Sequence, residues 1–175
     1  MPDVMVSSLF LVVLLVLYFQ FAANLTSEHT GVMESLIFDA DVISETMLSS
    51  GFPEGWDETT VQRPGLTDGN QRLNLTKLRR VANISYYDRK EIFGTISDYY
   101  ILLQHTDASS TLFNISEEVN LTNAGLSGEG GMGQPNITLA ALSSLQPEFQ
   151  VRTVRYMVHN SSTIRLVIYL WRDTR

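Results

Sequence analysis

An α+β fold, with a long N-terminal helix packed on a C-terminal antiparallel β-sheet, is the architecture this 175-residue sequence predicts, and three observations carry it. Residues 4–23 hold no charge. Apolar residues then recur at three- and four-residue steps as far as position 48, the period of a helix with one buried stripe. From residue 99 onward, runs rich in Tyr, Val, Ile, Leu and Thr alternate with turn residues, which is strand chemistry.

The first element is uncharged for long enough to cross a bilayer: residues 4–23 at a helical rise span roughly 30 Å, one hydrocarbon thickness. Ser7, Ser8 and Gln20 are its only clearly polar residues, and Leu9, Leu11, Val13, Leu15, Leu17 and Phe19 are the candidate membrane or assembly surface. A retained anchor is favoured over a cleaved signal, because no Lys or Arg precedes the run and Phe21-Ala22-Ala23 is a poor small-residue cleavage site. The first basic residue after the run is Arg63, so the positive-inside rule gives no orientation. Beyond Asn24, a stripe of Leu25, Val32, Met33, Leu36, Ile37, Ala40, Ile43 and Met47 alternates with Glu28, Glu34, Asp41 and Glu45, so the helix is expected to continue until Ser49-Ser50-Gly51-Phe52-Pro53 stops it. Three parts follow: residues 1–23 as transmembrane or assembly segment, 24–50 as amphipathic continuation, and 51–175 as an α+β head.

Within the head, residues 51–70 read as a long Gly- and Pro-containing connection pinned to the core by Trp56. Two short helices follow over 73–94, the first opened by Asn74 or Leu75, the second capped by Ser85 and closed by Gly94. Strands are expected at 99–105, 111–115, 137–142, 151–159 and 163–171, with residues 123–135 a flexible glycine-rich loop. The last two strands form a hairpin around Asn160-Ser161-Ser162, with Val151, Thr153, Arg155, Met157 and His159 on one face and Arg152, Val154, Tyr156 and Val158 on the other. The sheet is expected to be apolar on the one face that covers the amphipathic helix.

Composition narrows the function classes. Twelve Lys+Arg against 19 Asp+Glu leave a net charge of −7, which argues against a nucleic-acid partner. The absence of cysteine removes disulfides, thiolate zinc sites, Fe–S clusters and cysteine nucleophiles together. Seven of the nine asparagines stand in Asn-x-Ser/Thr, namely Asn24, Asn74, Asn83, Asn114, Asn120, Asn136 and Asn160, against roughly 1.6 expected if position +2 were random. Asn-x-Ser/Thr also suits turns and caps, but seven together read as an exported, N-glycosylated chain, with Asn24 the doubtful site because it abuts the membrane. Export without cysteine fits an archaeal surface protein better than an animal secreted domain.

The order of parts carries a resemblance. Ser7-Ser8-Leu9-Phe10-Leu11 opens the apolar helix, Gly51-Phe52-Pro53-Glu54-Gly55-Trp56 stands at its exit, and Pro64-Gly65-Leu66, Asn74-Leu75-Thr76-Lys77-Leu78 and Asp98-Tyr99-Tyr100-Ile101 follow, before a terminal strand ending in Trp171. Over nearly its whole length the chain resembles archaeal type IV pilin-like proteins of the class III signal peptide type. The resemblance implies a lollipop-shaped, non-enzymatic surface subunit, assembled into a filament with other pilin-like subunits or left as a single membrane-anchored glycoprotein with its C-terminal domain extracellular. Pilin precursors carry a basic leader and many have an early acidic residue in the mature helix; here Met1-Pro2-Asp3 precedes the run, so either a leader lies upstream of Met1 or the chain is an unprocessed single-span relative. Bulky Leu9 to Phe19, without a GxxxG face, lean toward a lone anchor.

Other chemistry is weakly supported. Gly128-Glu129-Gly130-Gly131-Met132-Gly133 matches G-x-G-x-x-G, but Gln134-Pro135 stands where a phosphate-binding helix should open and no βαβ unit surrounds it. His29, His105 and His159 have no metal-ligand spacing, and Glu117-Glu118 and Asp39 with Asp41 do not share a helical face. A weak Ca²⁺ loop at Asp57, Glu58 and Asp68 lacks the EF-hand pattern, and Ser127 lacks a nucleophile context. Most of the basic group Arg72, Lys77, Arg79, Arg80, Arg89 and Lys90 is expected on the outer faces of the two short helices as a solvated or ion-paired surface, which an acidic glycan or neighbouring subunit could use, and Tyr86, Tyr87, Phe93, Tyr99 and Tyr100 as core rather than a carbohydrate surface. No catalytic, cofactor or metal residue is therefore assigned. The first expectation is a structural or adhesive surface protein; the alternative is a tethered binding or accessory module of an envelope complex, marked by a concave polar–aromatic pocket on the head.

Overall fold

The computed structural model describes residues 2–106, 126–127 and 131–173. They divide into two compact units, Met1–Ser35 and Leu36–Arg175. The first consists of the N-terminal part of helix α1 (Pro2–Leu48), which runs unbroken through the hydrophobic and amphipathic stretches. Asn24 falls on the backbone of this helix.

The second unit holds the rest of α1, then α2 (Leu75–Asn83), α3 (Tyr86–Phe93), β1 (Asp98–His105), β2 (Leu126–Ser127), β3 (Gly131–Gly133), α4 (Leu139–Ser144), β4 (Phe149–His159) and β5 (Ser162–Arg172). The strands form one antiparallel sheet in the order β2-β3-β1-β5-β4. β5, flanked by β1 and β4, packs on both faces: Ile164, Leu166, Val167, Ile168 and Leu170 are fully buried.

Side chains alternate across the sheet, so its two faces can be read from the register. Tyr99, Ile101, Leu103, Leu166, Ile168 and Leu170 share a face with Val151, Thr153, Arg155 and Met157. Helices cover this face. Arg155 reaches Asp41 of α1 at 2.8 Å, and Tyr99 meets the rings of Tyr86 and Phe93 of α3 at 5.2 and 5.5 Å. From α1 this unit buries Leu36, Ala40, Ile43 and Met47, spaced three or four apart. Ile37, expected in the buried stripe, is instead 49% exposed, beside exposed Phe38 and Val42. The last carbonyls of α1 are met by the following connection, where Leu66 N donates to Met47 O at 2.8 Å and Thr67 Oγ1 to Leu48 O at 2.6 Å. Trp56, 1% exposed, pins the connection as expected, its Nε1 donating to Ser50 O at 3.2 Å.

The opposite face is also apolar, which corrects the single-faced sheet expected from sequence. Tyr100, Leu102, Val167 and Trp171 are buried there with Leu142 of α4, and Val154 and Tyr169 pack against them. Residues 137–142, expected as a strand, supply this cover as a short helix. Thr138 is its N-cap, accepting from Ala141 N at 3.0 Å, and Ala140-Ala141 favour the helical state. The expected strand at 111–115 lies outside the described residues.

Part of the expected glycine-rich loop is strand: Met132 pairs with Ile101 and Gly133 with Tyr100. Glycine is required by close approach, because a Cβ on Gly131 would collide with the Tyr100 ring and one on Gly133 with the Tyr99 backbone. The β4–β5 turn is the two-residue Asn160-Ser161, with φ of 46° and 66°; Ser162 already pairs with His159.

Arg89 joins α2, α3 and β1. It is fully buried, donates from Nη1 to Val81 O at 3.0 Å at the end of α2, and from Nε to the Tyr99 hydroxyl at 3.3 Å. Arg89→Met retains the apolar stem but leaves those acceptors without their donor; we expect a loss of about 2–4 kcal/mol in denaturant unfolding of the detergent-solubilised protein. Arg89→Lys should recover little, since one ammonium cannot reproduce the fork. Unchanged unfolding in Arg89→Met would refute this role.

Candidate functional site

Two features on the described residues have the makings of a functional surface. The first is the apolar part of α1, Met5–Ala22, with a mean hydropathy of 2.3 and none of it buried. Leu9, Leu11, Val13, Leu15, Leu17 and Phe19, the predicted membrane or assembly residues, are all exposed, between 47% and 67%. The polar breaks are small: Ser8 Oγ turns back to Met5 O at 3.0 Å, and the Tyr18 and Phe19 rings meet edge to face. One helix is thus long and apolar enough to cross a membrane by length and composition.

The second is an open cleft in the second unit, lined by Ser50, Gly51, Phe52, Glu54, Gly55, Arg63, Asp68 and Lys77. Local hydrogen bonds tie its rim together. Phe52 N donates to Arg63 O at 2.8 Å, and Phe52 O accepts from Gln62 N and Arg63 N, yet the ring remains 52% exposed. Lys77 binds Asp68 at 2.9 Å and Thr67 O at 2.7 Å, and the Asn74 amide donates to both Asp68 oxygens. The Lys77 hydrogen bond is the main reason the Asp68 carboxyl lies below its ordinary value. The cleft thus sets an exposed aromatic ring beside charged, hydrogen-bonded side chains. A second groove, between α4 and β4–β5, is lined mainly by Leu139, Leu142, Leu145 and Tyr169.

The predicted glycan acceptors are placed unequally. Asn136 and Asn160 are exposed in turns at φ of 65° and 46°, and Asn83 is exposed at the end of α2, its amide 3.1 Å from Glu58 Oε1. Asn74 is the N-cap of α2, accepting from Thr76 N and Lys77 N while donating to Asp68. Asn114 and Asn120 lie outside the described residues. All four sequons described with side chains contribute to folding as well. Asn74 caps, Asn136 and Asn160 take left-handed turn positions, and the +2 residues Ser85 and Thr138 cap α3 and α4.

The basic group is divided: Arg72 and Arg79 are exposed, as expected of an outer surface, while the others are half-buried or buried. Besides buried Arg89, Arg80 lies over the Trp56 ring and donates to Trp56 O, Lys77 is paired with Asp68, and Lys90 with Asp98 at 2.8 Å. The aromatic group is core, with Tyr86, Phe93, Tyr99 and Tyr100 buried, except that Tyr87 is 74% exposed. Burial, followed by the neighbouring Asp98 carboxylate, pushes the Tyr86 hydroxyl far above its ordinary pKa. Tyr99 is also raised by burial, against the opposing Arg89. No local signal in the sequence marks Arg89 as buried.

Asp57, Glu58 and Asp68, weighed as a calcium loop, have separate partners: Thr59 and Thr60 for Asp57, Asn83 for Glu58, and Lys77 with Asn74 for Asp68. Among the described residues no three His, Cys, Asp or Glu side chains gather as a metal-holding group. His105 and His159 are the terminal residues of β1 and β4. Of the G-x-G-x-x-G run, Gly131–Gly133 is strand β3.

Hydrogen bonds from Thr59 and Thr60 lower the Asp57 carboxyl from 3.8 to about 2. A lowered pKa means that the loop's stabilisation is present above the ordinary value and is lost as pH falls through the lowered one. An NMR titration should therefore place the Asp57 midpoint near 2, and the Thr59→Ala/Thr60→Ala double substitution should return it toward 3.8; identical midpoints in both proteins would refute the assignment. Compared with known proteins, the chain matches no family model, no curated protein and no solved structure.

Proposed function

We propose that this chain is a non-enzymatic, pilin-like surface protein, anchored in the cell membrane by Met5–Ala22, with its second unit extracellular and N-glycosylated. The observation that carries the reading is the exposure of that apolar helix: from Met5 to Phe21 every side chain is exposed. Such a surface is costly in water and needs a lipid bilayer or a bundle of like helices around it. The exposed sequon asparagines Asn83, Asn136 and Asn160 support a head reached by a glycosylation machinery. In a bilayer the bulky helix is a lone anchor; in a filament the same side chains pack against other pilin-like subunits.

The second reading, a tethered module that does not polymerise, is favoured by the Phe52 cleft, which offers an aromatic face and paired charges to a surface glycan. Shearing native cells separates the two: a filament subunit leaves at high mass, whereas a tethered module stays with the membrane until detergent is added.

The anchor itself is tested by alkaline extraction. Wild type should remain in the membrane pellet, and Leu15→Arg, which adds about 3 kcal/mol to insertion, should move a measurable share into the soluble fraction. Wild type fully released by alkali would overturn the anchor. Glycopeptide mapping should find the exposed Asn136, Asn160 and Asn83 occupied ahead of Asn74, which is half-buried as the N-cap of α2; bare asparagines at all four would remove glycosylation from the reading.

A further inference from the structure

Among the described residues β4 is the outermost strand on its side of the sheet, and only one end of its outer edge is covered. Leu73 N donates to Val158 O, and Val158 N to Gln71 O, each at 2.9 Å, so Val158 turns its backbone groups away from β5. Backbone groups alternate in direction along a strand. Those of Gln150, Arg152, Val154 and Tyr156 therefore point outward too, and among the described residues no backbone group bonds them. Proteins commonly blunt such an edge with Lys, Pro, a bulge or an inward charge. Residues 149–159 contain no Pro, Gly, Lys or acidic residue, and their register with β5 is unbroken from Phe149↔Arg172 to His159↔Ser162. Both arginines are engaged within the fold, Arg155 with Asp41 at 2.8 Å and Arg152 over the Tyr169 ring at 5.7 Å.

We propose that this edge is a homodimerisation surface, on which β4 of a second copy adds antiparallel to residues 150–156 about a two-fold axis at Thr153. Antiparallel strand addition is self-complementary, as a closed two-fold interface requires. The window without a backbone partner among the described residues is centred on Thr153 and bounded at Val158 by residues 71–73. A symmetry-related strand would reach Tyr156 with its own Gln150, one residue inside the start of its β4, and so would not run into that segment. In this register Arg152 faces Val154 of the second copy, Gln150 faces Tyr156 and Val151 faces Arg155, so no like charges stand opposite one another. Tyr156, 58% exposed, would be covered.

The chain has no cysteine, so single-cysteine variants are clean reporters. Thr153 meets its symmetry mate at a non-hydrogen-bonded site, where Cα atoms approach to about 4.5 Å, within disulfide reach. Full-length Thr153→Cys protein in detergent micelles should form a covalent dimer on mild oxidation, well ahead of Ser143→Cys on α4. Adding Arg152→Pro removes an outward N–H without breaking a β5 bond, so the dimer should fall about tenfold or more at an unchanged melting midpoint. A Thr153→Cys protein that cross-links no faster than Ser143→Cys overturns the proposal, as does a dimer indifferent to Arg152→Pro, which would place the contact on α1. Should Arg152→Pro unfold the head, the Gln150→Cys/Tyr156→Cys pair decides: it must cross-link where each single variant does not. A monomer that captures only an added β-strand peptide also overturns it, in favour of a foreign partner.

Discussion

The arrangement of the second unit depends on the burial of one cation. Arg89 is enclosed between two short helices and the sheet, where an unsatisfied guanidinium would not be tolerated. It donates to a carbonyl at the end of α2, where the helix dipole favours positive charge, and to the Tyr99 hydroxyl, which is itself buried. This fixes the angle between α2 and α3 and ties both to β1. Lys90 and Tyr86 bind Asp98 beside it, so the helix pair is held by polar contacts as well as by aromatic packing.

What the sequence disclosed was local. Asn74, Ser85 and Gly94 are read as caps because a cap depends on a few neighbouring backbone groups, and all three act as caps, Gly94 at φ 66°. The β4–β5 hairpin is equally readable, since alternation and a two-residue turn are both short-range. The misses were contacts with remote partners. Nothing near Gly131 announces that the Tyr100 ring will lie against it, so a strand looked like a loop. Residues 137–142 carry strand-like apolar residues, but Thr138 followed by Ala140-Ala141 held the helical signal that alternation obscured.

The candidate site divides in the same way. The apolar part of α1 was legible because hydropathy is a property of the segment alone. The Phe52 cleft was not, since it depends on the pairing of Phe52 with Arg63 and on Lys77 reaching back to Asp68 across the chain. The basic residues illustrate the cost of judging charge by type: in a cluster that reads as solvated or ion-paired surface, Lys77 and Lys90 are ion-paired and Arg72 and Arg79 exposed, but Arg89 is buried and Arg80 is held by the Trp56 ring and carbonyl. The sheet hides part of itself similarly. Its second apolar face was invisible while α4 was taken for a strand, because the cover and the covered surface were counted as the same element.

The double duty of the sequons bears on heredity. A site kept by selection for folding will persist in descendants whether or not sugar is ever attached to it, so the motif pattern of this head is by itself no record of glycosylation. It also determines which substitution tests the proposed glycosylation cleanly. At the β4–β5 turn, replacing Asn160 disturbs a left-handed corner, whereas replacing exposed Ser162 destroys the acceptor motif and leaves that corner intact. At Asn136 the +2 residue caps α4, so neither choice there is neutral, and a phenotype from either would report on folding before it reported on the glycan.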